Sequence, residues 1–255
     1  MFSLSCRTAA RSLRPSHFSF ASEVAAAPAV VRCAATKRAA STAAAAQINN
    51  DTPPEYHTPS GEQRTPLSAE QKAFLDGALR VNQAGELAAV LIYLSQTPPI
   101  VRSHPHLRPL MKHMLDQEKG HFDTFNHLLA KHRIRPTIMY PAWTVASTVL
   151  GWGTGILGRE AAMACTEAVE TEIGQHYNEQ VAELLEWERR LQAKGEELGP
   201  ELSELLKNLR RIRDEELEHL DHAVENDAKE ARPYELLTNV IRGGCRAAIW
   251  LTEKA

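Results

Sequence analysis

Between residues 68 and 226, apolar residues recur at spacings of three and four, the period of helices that bury one face. The first such run begins at Ser68, where Ser68 and Gln71 have the spacing of a capping box. Its stripe reads Leu75, Leu79, Asn82, Glu86, Val90, Tyr93, and Pro98-Pro99 is expected to stop it. A second helix is expected over residues 105–132, with Leu107, Leu110, Met111, Met114, Glu118, His121, Phe122, Phe125, Leu128 and Leu129 inward. A third, over 159–194, presents Met163, Glu167 or Glu170, Ile173, Tyr177, Val181, Leu184 and Leu185. The fourth, over 201–226, presents Leu202, Leu205, Leu209, Ile212, Glu216, His219 and Ala223. Gly199-Pro200 separates the last two, and a shorter helix over 233–252 closes the chain. The pattern is that of an all-α four-helix bundle.

Every one of the four stripes carries a carboxylate where an apolar residue is expected. An ionised carboxylate in a dry core costs several kcal/mol unless a cation neutralises it. Two stripes carry a Glu-x-x-His pair, Glu118–His121 and Glu216–His219, and residues three apart project from one face of a helix. Chance also supplies such pairs in a chain with 25 glutamates and 11 histidines, so their central position in the stripes is the informative feature. In order, the chain offers Glu86, Glu118-x-x-His121, a Glu from the third helix, and Glu216-x-x-His219. This is the ligand set of ferritin-like di-iron and di-manganese bundles. Four carboxylates and two imidazoles would balance two divalent irons, whereas structural zinc prefers thiolates in closed tetrahedra. Periodicity leaves Glu167 or Glu170 open on the third helix, and His222 competes with His219 on the fourth. Tyr177 lies seven residues beyond Glu170 on the same face, as a hydrogen-bond donor or a core residue, while His176 lies off that face.

Charge divides the chain. Residues 1–47 hold six basic residues and one acid, Glu23, leaving 23 basic against 31 acidic residues in the remainder. An Arg-, Ala- and Ser-rich stretch with almost no acid reads as a mitochondrial transit peptide over 1–46, cleaved between Arg38 and Gln47. A basic nucleic-acid-binding arm is the competing reading, but such arms are typically richer in lysine, and no nucleic-acid partner is expected. A Pro-rich linker follows over 47–67, and the catalytic domain is expected over 68–255. Cys165 and Cys245 remain after cleavage and, lacking a CxxC spacing, support neither a disulfide framework nor a zinc site.

Residues 136–158 contain no charge. Gly153, Gly155 and Gly158 match a G-x-G-x-x-G fingerprint after a strand-like run at 143–150, but no second strand follows, so a dinucleotide fold is not expected. With Pro141 and four glycines the segment reads as a bent connection lying on or dipping into a membrane. A long crossover buried in the bundle is the alternative. The run 240–251 is a second candidate for an interfacial surface.

Five stretches, RVNQAGELAAVLIY at 80–93, DQEKGHFDTFN at 116–126, MACTEAVETEIGQHYNEQ at 163–180, RDEELEH at 213–219 and GGCRAAIWL at 243–251, resemble the demethoxyubiquinone hydroxylases of coenzyme Q synthesis. The resemblance spans nearly all of 68–255. It implies a ferritin-like bundle with membrane-interfacial helical segments, and two irons per chain held by Glu86, Glu118, His121, Glu170, Glu216 and His219. It resolves the third helix in favour of Glu170, and places His176 and Tyr177 near the metals. It further implies hydroxylation of a polyprenylated methoxy-benzoquinone with O2 and electrons from NADH. The expected setting is the matrix side of the mitochondrial inner membrane, within a coenzyme Q synthesis complex that includes a lipid-binding partner protein. Gln117 and Glu215 stand where many di-iron oxygenases have Asp before the Glu of Glu-x-x-His, so an Asp-to-His contact is not expected. Rival readings are an iron-storing ferritin-like cage, a membrane di-iron quinol oxidase and a non-catalytic helical scaffold.

Overall fold

A computed structural model describes residues 66–255. The expected transit peptide lies outside the described residues, as does the linker except for Pro66 and Leu67. Six α-helices follow: α1 (Ala69–Ser103), α2 (Arg108–His132) after a 3-10 turn at Pro105–Leu107, α3 (Tyr140–Leu157), α4 (Arg159–Gln192), α5 (Pro200–Glu225) and α6 (Tyr234–Lys254). There is no strand among the described residues.

The capping box forms as the sequence predicts: Ser68 Oγ accepts from the Gln71 N–H at 3.1 Å, and Gln71 Oε1 accepts from the Ser68 N–H at 2.9 Å. Pro98-Pro99 does not stop α1, which runs on to Ser103. The two prolines remove N–H donors to the carbonyls of residues 94 and 95. Burial outweighs that loss, because Ile100 and Val101 beyond them enter the core at 1% and 5% exposure. The Thr97 hydroxyl also returns to the Tyr93 carbonyl at 2.6 Å, which steadies the turn before them.

Four helices make the core. α1 pairs with α2, α4 with α5, and α3 runs along α1 and also touches α4. Each predicted stripe faces inward and is interrupted at one level by its polar residues. One apolar layer, including Leu79, Phe125, Leu184, Leu205 and Leu209, packs on one side of that level. A second, including Met111, Met114, Met163 and Ala223, packs on the other.

The uncharged segment is a continuous helix rather than a bent connection. Pro141 sits in its first turn, where a missing N–H costs nothing. Two of its glycines allow α3 to touch the α1 backbone: a Cβ on Gly151 would lie 2.5 Å from the Ile92 carbonyl oxygen, and one on Gly155 2.8 Å from Pro99 Cγ. The strand-like run at 143–150 is therefore helical, and of the three fingerprint glycines only Gly155 serves close packing, Gly153 having no atom within 4 Å. Gly158, at φ +119°, ends α3 in a conformation open to glycine. No described helix is long and apolar enough to cross a membrane. The outer face of α3 nevertheless exposes Val145, Val149, Trp152, Ile156 and Leu157, and α6 exposes Leu236, Val240 and Trp250. The two helices are joined by a hydrogen bond from Trp143 Nε1 to Thr252 Oγ1 at 3.0 Å.

Candidate metal centre

Glu86, Glu118, His121, Glu170, Glu216 and His219 converge at the polar level of the bundle, each at most 1% exposed. Their ligand atoms form two overlapping quartets. One is Glu86, Glu118, His121 and Glu216; the other is Glu118, Glu170, Glu216 and His219. Glu118 and Glu216 belong to both quartets, so they can bridge two cations while Glu86 and Glu170 each serve one.

The packing leaves many of these atoms without hydrogen-bond partners. Both oxygens of Glu118, one oxygen each of Glu86, Glu170 and Glu216, and Nδ1 of His121 are buried and unpartnered. His121 Nδ1 lies 3.0 Å from Glu216 Oε1 and 3.6 Å from Glu86 Oε2, and His219 Nδ1 3.0 Å from Glu118 Oε1. Buried polar groups ordinarily find partners. Four carboxylates aimed at two shared points, with an imidazole at each, fit a pair of divalent cations in charge and donor type.

Protonation follows from the same crowding. Burial, with Glu216 and Glu118 close by, pushes the Glu170 carboxyl well above the usual range. Burial likewise raises Glu86, partly opposed by its contact with His121. Burial opposes a charged His219, but Glu118 and Glu216 overcome it and lift the imidazole to about 11; His121 is raised in the same way.

Around the cluster lies a set of contacts with twofold order. Tyr93 on α1 donates to Glu170 Oε1 at 3.1 Å, and Tyr177 on α4 donates to Glu86 Oε1. Burial pushes both phenols well above their ordinary value, so they remain donors. The outer nitrogen of each histidine is held from the opposite helix: His121 Nε2 meets Glu215 Oε2 at 2.5 Å, and His219 Nε2 meets Gln117 Oε1 at 3.0 Å. Gln117 and Glu215 thus orient the imidazoles in place of the aspartates found elsewhere, each acting on the histidine of the other pair. Arg211 steadies Glu215 at 2.8 Å. Neither the Gln117 and Glu215 roles nor that of Tyr93 was assigned from the sequence. The Tyr93 signal was present, because Glu86–Tyr93 and Glu170–Tyr177 share one spacing of seven.

The open alternatives resolve on packing. Glu167 turns away from the cluster and pairs with Lys229 and Tyr234. His222 lies near the surface beside Glu218 and Glu225. His176, expected near the metals, faces away from them into a polar cleft of about 520 Å³ between α4 and α6, with Glu172, Arg242, Arg246 and Glu253. It follows Gln175 on a face of α4 turned from the one that carries Tyr177. Burial lowers its pKa. Cys165 and Cys245 are free, and burial pushes each thiol up to about 12.

Behind the cluster is an apolar groove of about 380 Å³ between α1, α3, α4 and α6. Ala84, Gly85 and Val169, which flank Glu86 and Glu170, form part of its floor; Trp143, Leu150, Val240 and Ile249 form its walls.

A helical bundle of this order, built around four carboxylates and two imidazoles, defines the ferritin-like class of carboxylate–histidine metal proteins. Within that class the chain belongs to a single family: residues 73–252 match the family model described as "Ubiquinone biosynthesis protein COQ7". It is 45% identical over 190 residues to the mitochondrial 5-demethoxyubiquinone hydroxylase of Saccharomyces cerevisiae, covering 74% of this chain and 81% of the relative. It is 43% identical over 183 residues to the mitochondrial NADPH-dependent 3-demethoxyubiquinone 3-hydroxylase of Rattus norvegicus, covering 72% and 79%. The 3-demethoxyubiquinol 3-hydroxylase of Rhodospirillum rubrum is 38% identical over 193 residues, covering 76% and 84%.

Proposed function

We propose that the chain is a mitochondrial demethoxyubiquinone hydroxylase of ubiquinone biosynthesis, working as a di-iron monooxygenase on a polyprenylated ring. The observation that carries this reading is the pair of overlapping quartets with an apolar groove against the helices that bear them. Glu86, Glu118, His121 and Glu216 would hold one iron, and Glu118, Glu170, Glu216 and His219 the other. Iron held there would supply activation of dioxygen, one oxygen atom entering the ring and the other leaving as water with two electrons and two protons from the reductant. Tyr93 and Tyr177 fix the terminal carboxylates, and Glu215 and Gln117 fix the imidazoles. Met114, Met163 and Phe125 close the cluster from water, since all three are at most 1% exposed. The groove takes the greasy substrate, and the exposed apolar sides of α3 and α6 rest on the inner membrane, matrix side, so that the tail need not leave lipid. Electrons come from a reduced nicotinamide; the family resemblance implies NADH, whereas the rat relative's name carries NADPH, and assaying both separates them.

Cells lacking the chain should accumulate demethoxyubiquinone, and the wild-type gene, but not Glu118→Ala, should clear it. An unchanged quinone profile in such cells would remove the reading.

A further inference from the structure

Outside the buried cluster, one other histidine–carboxylate group converges among the described residues. His113 on α2 meets Glu218 and His222 on α5, with one ligand atom of each within 4.8 Å of the others. The two rings, which come from two helices, are 6.5 Å apart between centroids and inclined at 74°. Glu218 and His222 are one turn apart, with Oε1 and Nε2 at 3.6 Å. The other nitrogen of His222 faces a second carboxylate, Glu225 Oε2, also at 3.6 Å. Two imidazoles and one carboxylate, with the remaining positions open to water, suit a first-row divalent ion. Such an ion, at about 2.0–2.2 Å from each donor, needs donors a little over 3 Å apart, a small adjustment for side chains at the surface.

The place of the group on the bundle adds a direction. His113 lies one turn before Gln117, whose Oε1 receives His219 Nε2 at 3.0 Å. His222 lies one turn after His219. Glu215, half-exposed on the same α2–α5 seam, holds His121. Polar side chains therefore run from the surface to the rim of both quartets along the line where α2 meets α5, while the groove side of the cluster is apolar.

We infer that His113, Glu218 and His222 form a surface site for a divalent first-row ion, and that ferrous iron taken up there passes along the α2–α5 seam to the buried cluster. The surface site stands by itself; only its role as an entry point rests on the proposed di-iron centre. The full chain, stripped of metal, would be titrated anaerobically with Co²⁺, following visible absorption. The wild type should take about three ions, the buried pair and one more. His113→Ala/His222→Ala should take about two, and Glu218→Gln should weaken the outer ion about tenfold or more. Glu118→Ala/Glu216→Ala should keep the outer ion while losing the buried pair, which separates failure of this site from failure of the di-iron reading. At limiting Fe²⁺, the His113→Ala/His222→Ala protein should fill the buried pair several-fold more slowly, to the same final content. Identical Co²⁺ stoichiometry in wild type and double variant would overturn the site. An unchanged Fe²⁺ loading rate would overturn the entry role.

Discussion

Glu215 and Gln117 occupy equivalent places, yet one presents a carboxylate and the other an amide. A carboxylate behind the ring makes His121 the stronger donor, so the two quartets should differ in affinity. Glu215→Gln should erase much of that difference, weakening one of the two buried ions by about 10–100-fold, read by competition with a chelator. Loss of either bridging residue should be more severe: Glu118→Ala or Glu216→Ala should empty both positions, whereas Glu86→Ala or Glu170→Ala should leave one partly filled, measured as iron per chain. Equal metal content across all four variants would sink the bridging assignment. That the six residues gather at one buried level was legible, because charge on a buried stripe has few explanations. The partners of the ligands were less so. Gln117 and Glu215 act on the opposite pair, and a contact between α2 and α5 has no periodicity to betray it. Periodicity already set His176 off the inner face, since one residue is a turn of about 100°, and only the family resemblance placed it near the metals.

At the level of elements, α1 and α3 differ most from their sequence-based reading. Two prolines predicted an end, and glycines predicted a bend, but both judgements were local. Burial of Ile100 carried α1 onward, and close contact with α1 used the α3 glycines. Gly151→Ala should cost about 1–3 kcal/mol by urea unfolding, since the new methyl meets backbone at 2.5 Å that cannot move aside. Gly153→Ala, with no atom within 4 Å, should be neutral or stabilise by up to about 1 kcal/mol. If the two behave alike, the close packing of α3 on α1 is wrong. The outer side of the same helix bears the membrane proposal. Trp152, Ile156 and Trp250 are 61%, 54% and 58% exposed, so replacing them with Ser removes little core. The triple variant should leave liposomes and lose turnover on long-tailed quinones, while keeping iron and activity on a short-tailed analogue. Equal loss on both substrates would assign these residues to packing.

In the whole molecule, the metal-free bundle is held against its own charge. Glu86, Glu170, His121 and His219 have raised pKa values, so each keeps its proton to higher pH folded than unfolded. Their contribution to metal-free stability is therefore full below the unfolded values and is lost as pH rises through the folded ones, for His219 through about 11. Divalent ions replace those protons, and their binding tightens as pH rises. The gap in Tm between iron-loaded and metal-free protein should widen between about pH 6 and pH 9, with protons released on loading. A gap that narrows over this range would contradict a site filled by displacement of protons.

α1–α2 and α4–α5 repeat one pattern: a glutamate with a tyrosine seven residues on, then a Glu-x-x-His pair whose preceding residue reaches the facing histidine. α3 breaks this repetition, since it is inserted once and lays its groove on one side only. On the proposed function, a ring tethered by its tail between α3 and α6 always enters with the same edge leading. The carbon that becomes hydroxylated is then selected by the leash rather than by an acid or base beside the ring. Regiochemistry would belong to the groove, and shortening the tail should blur it.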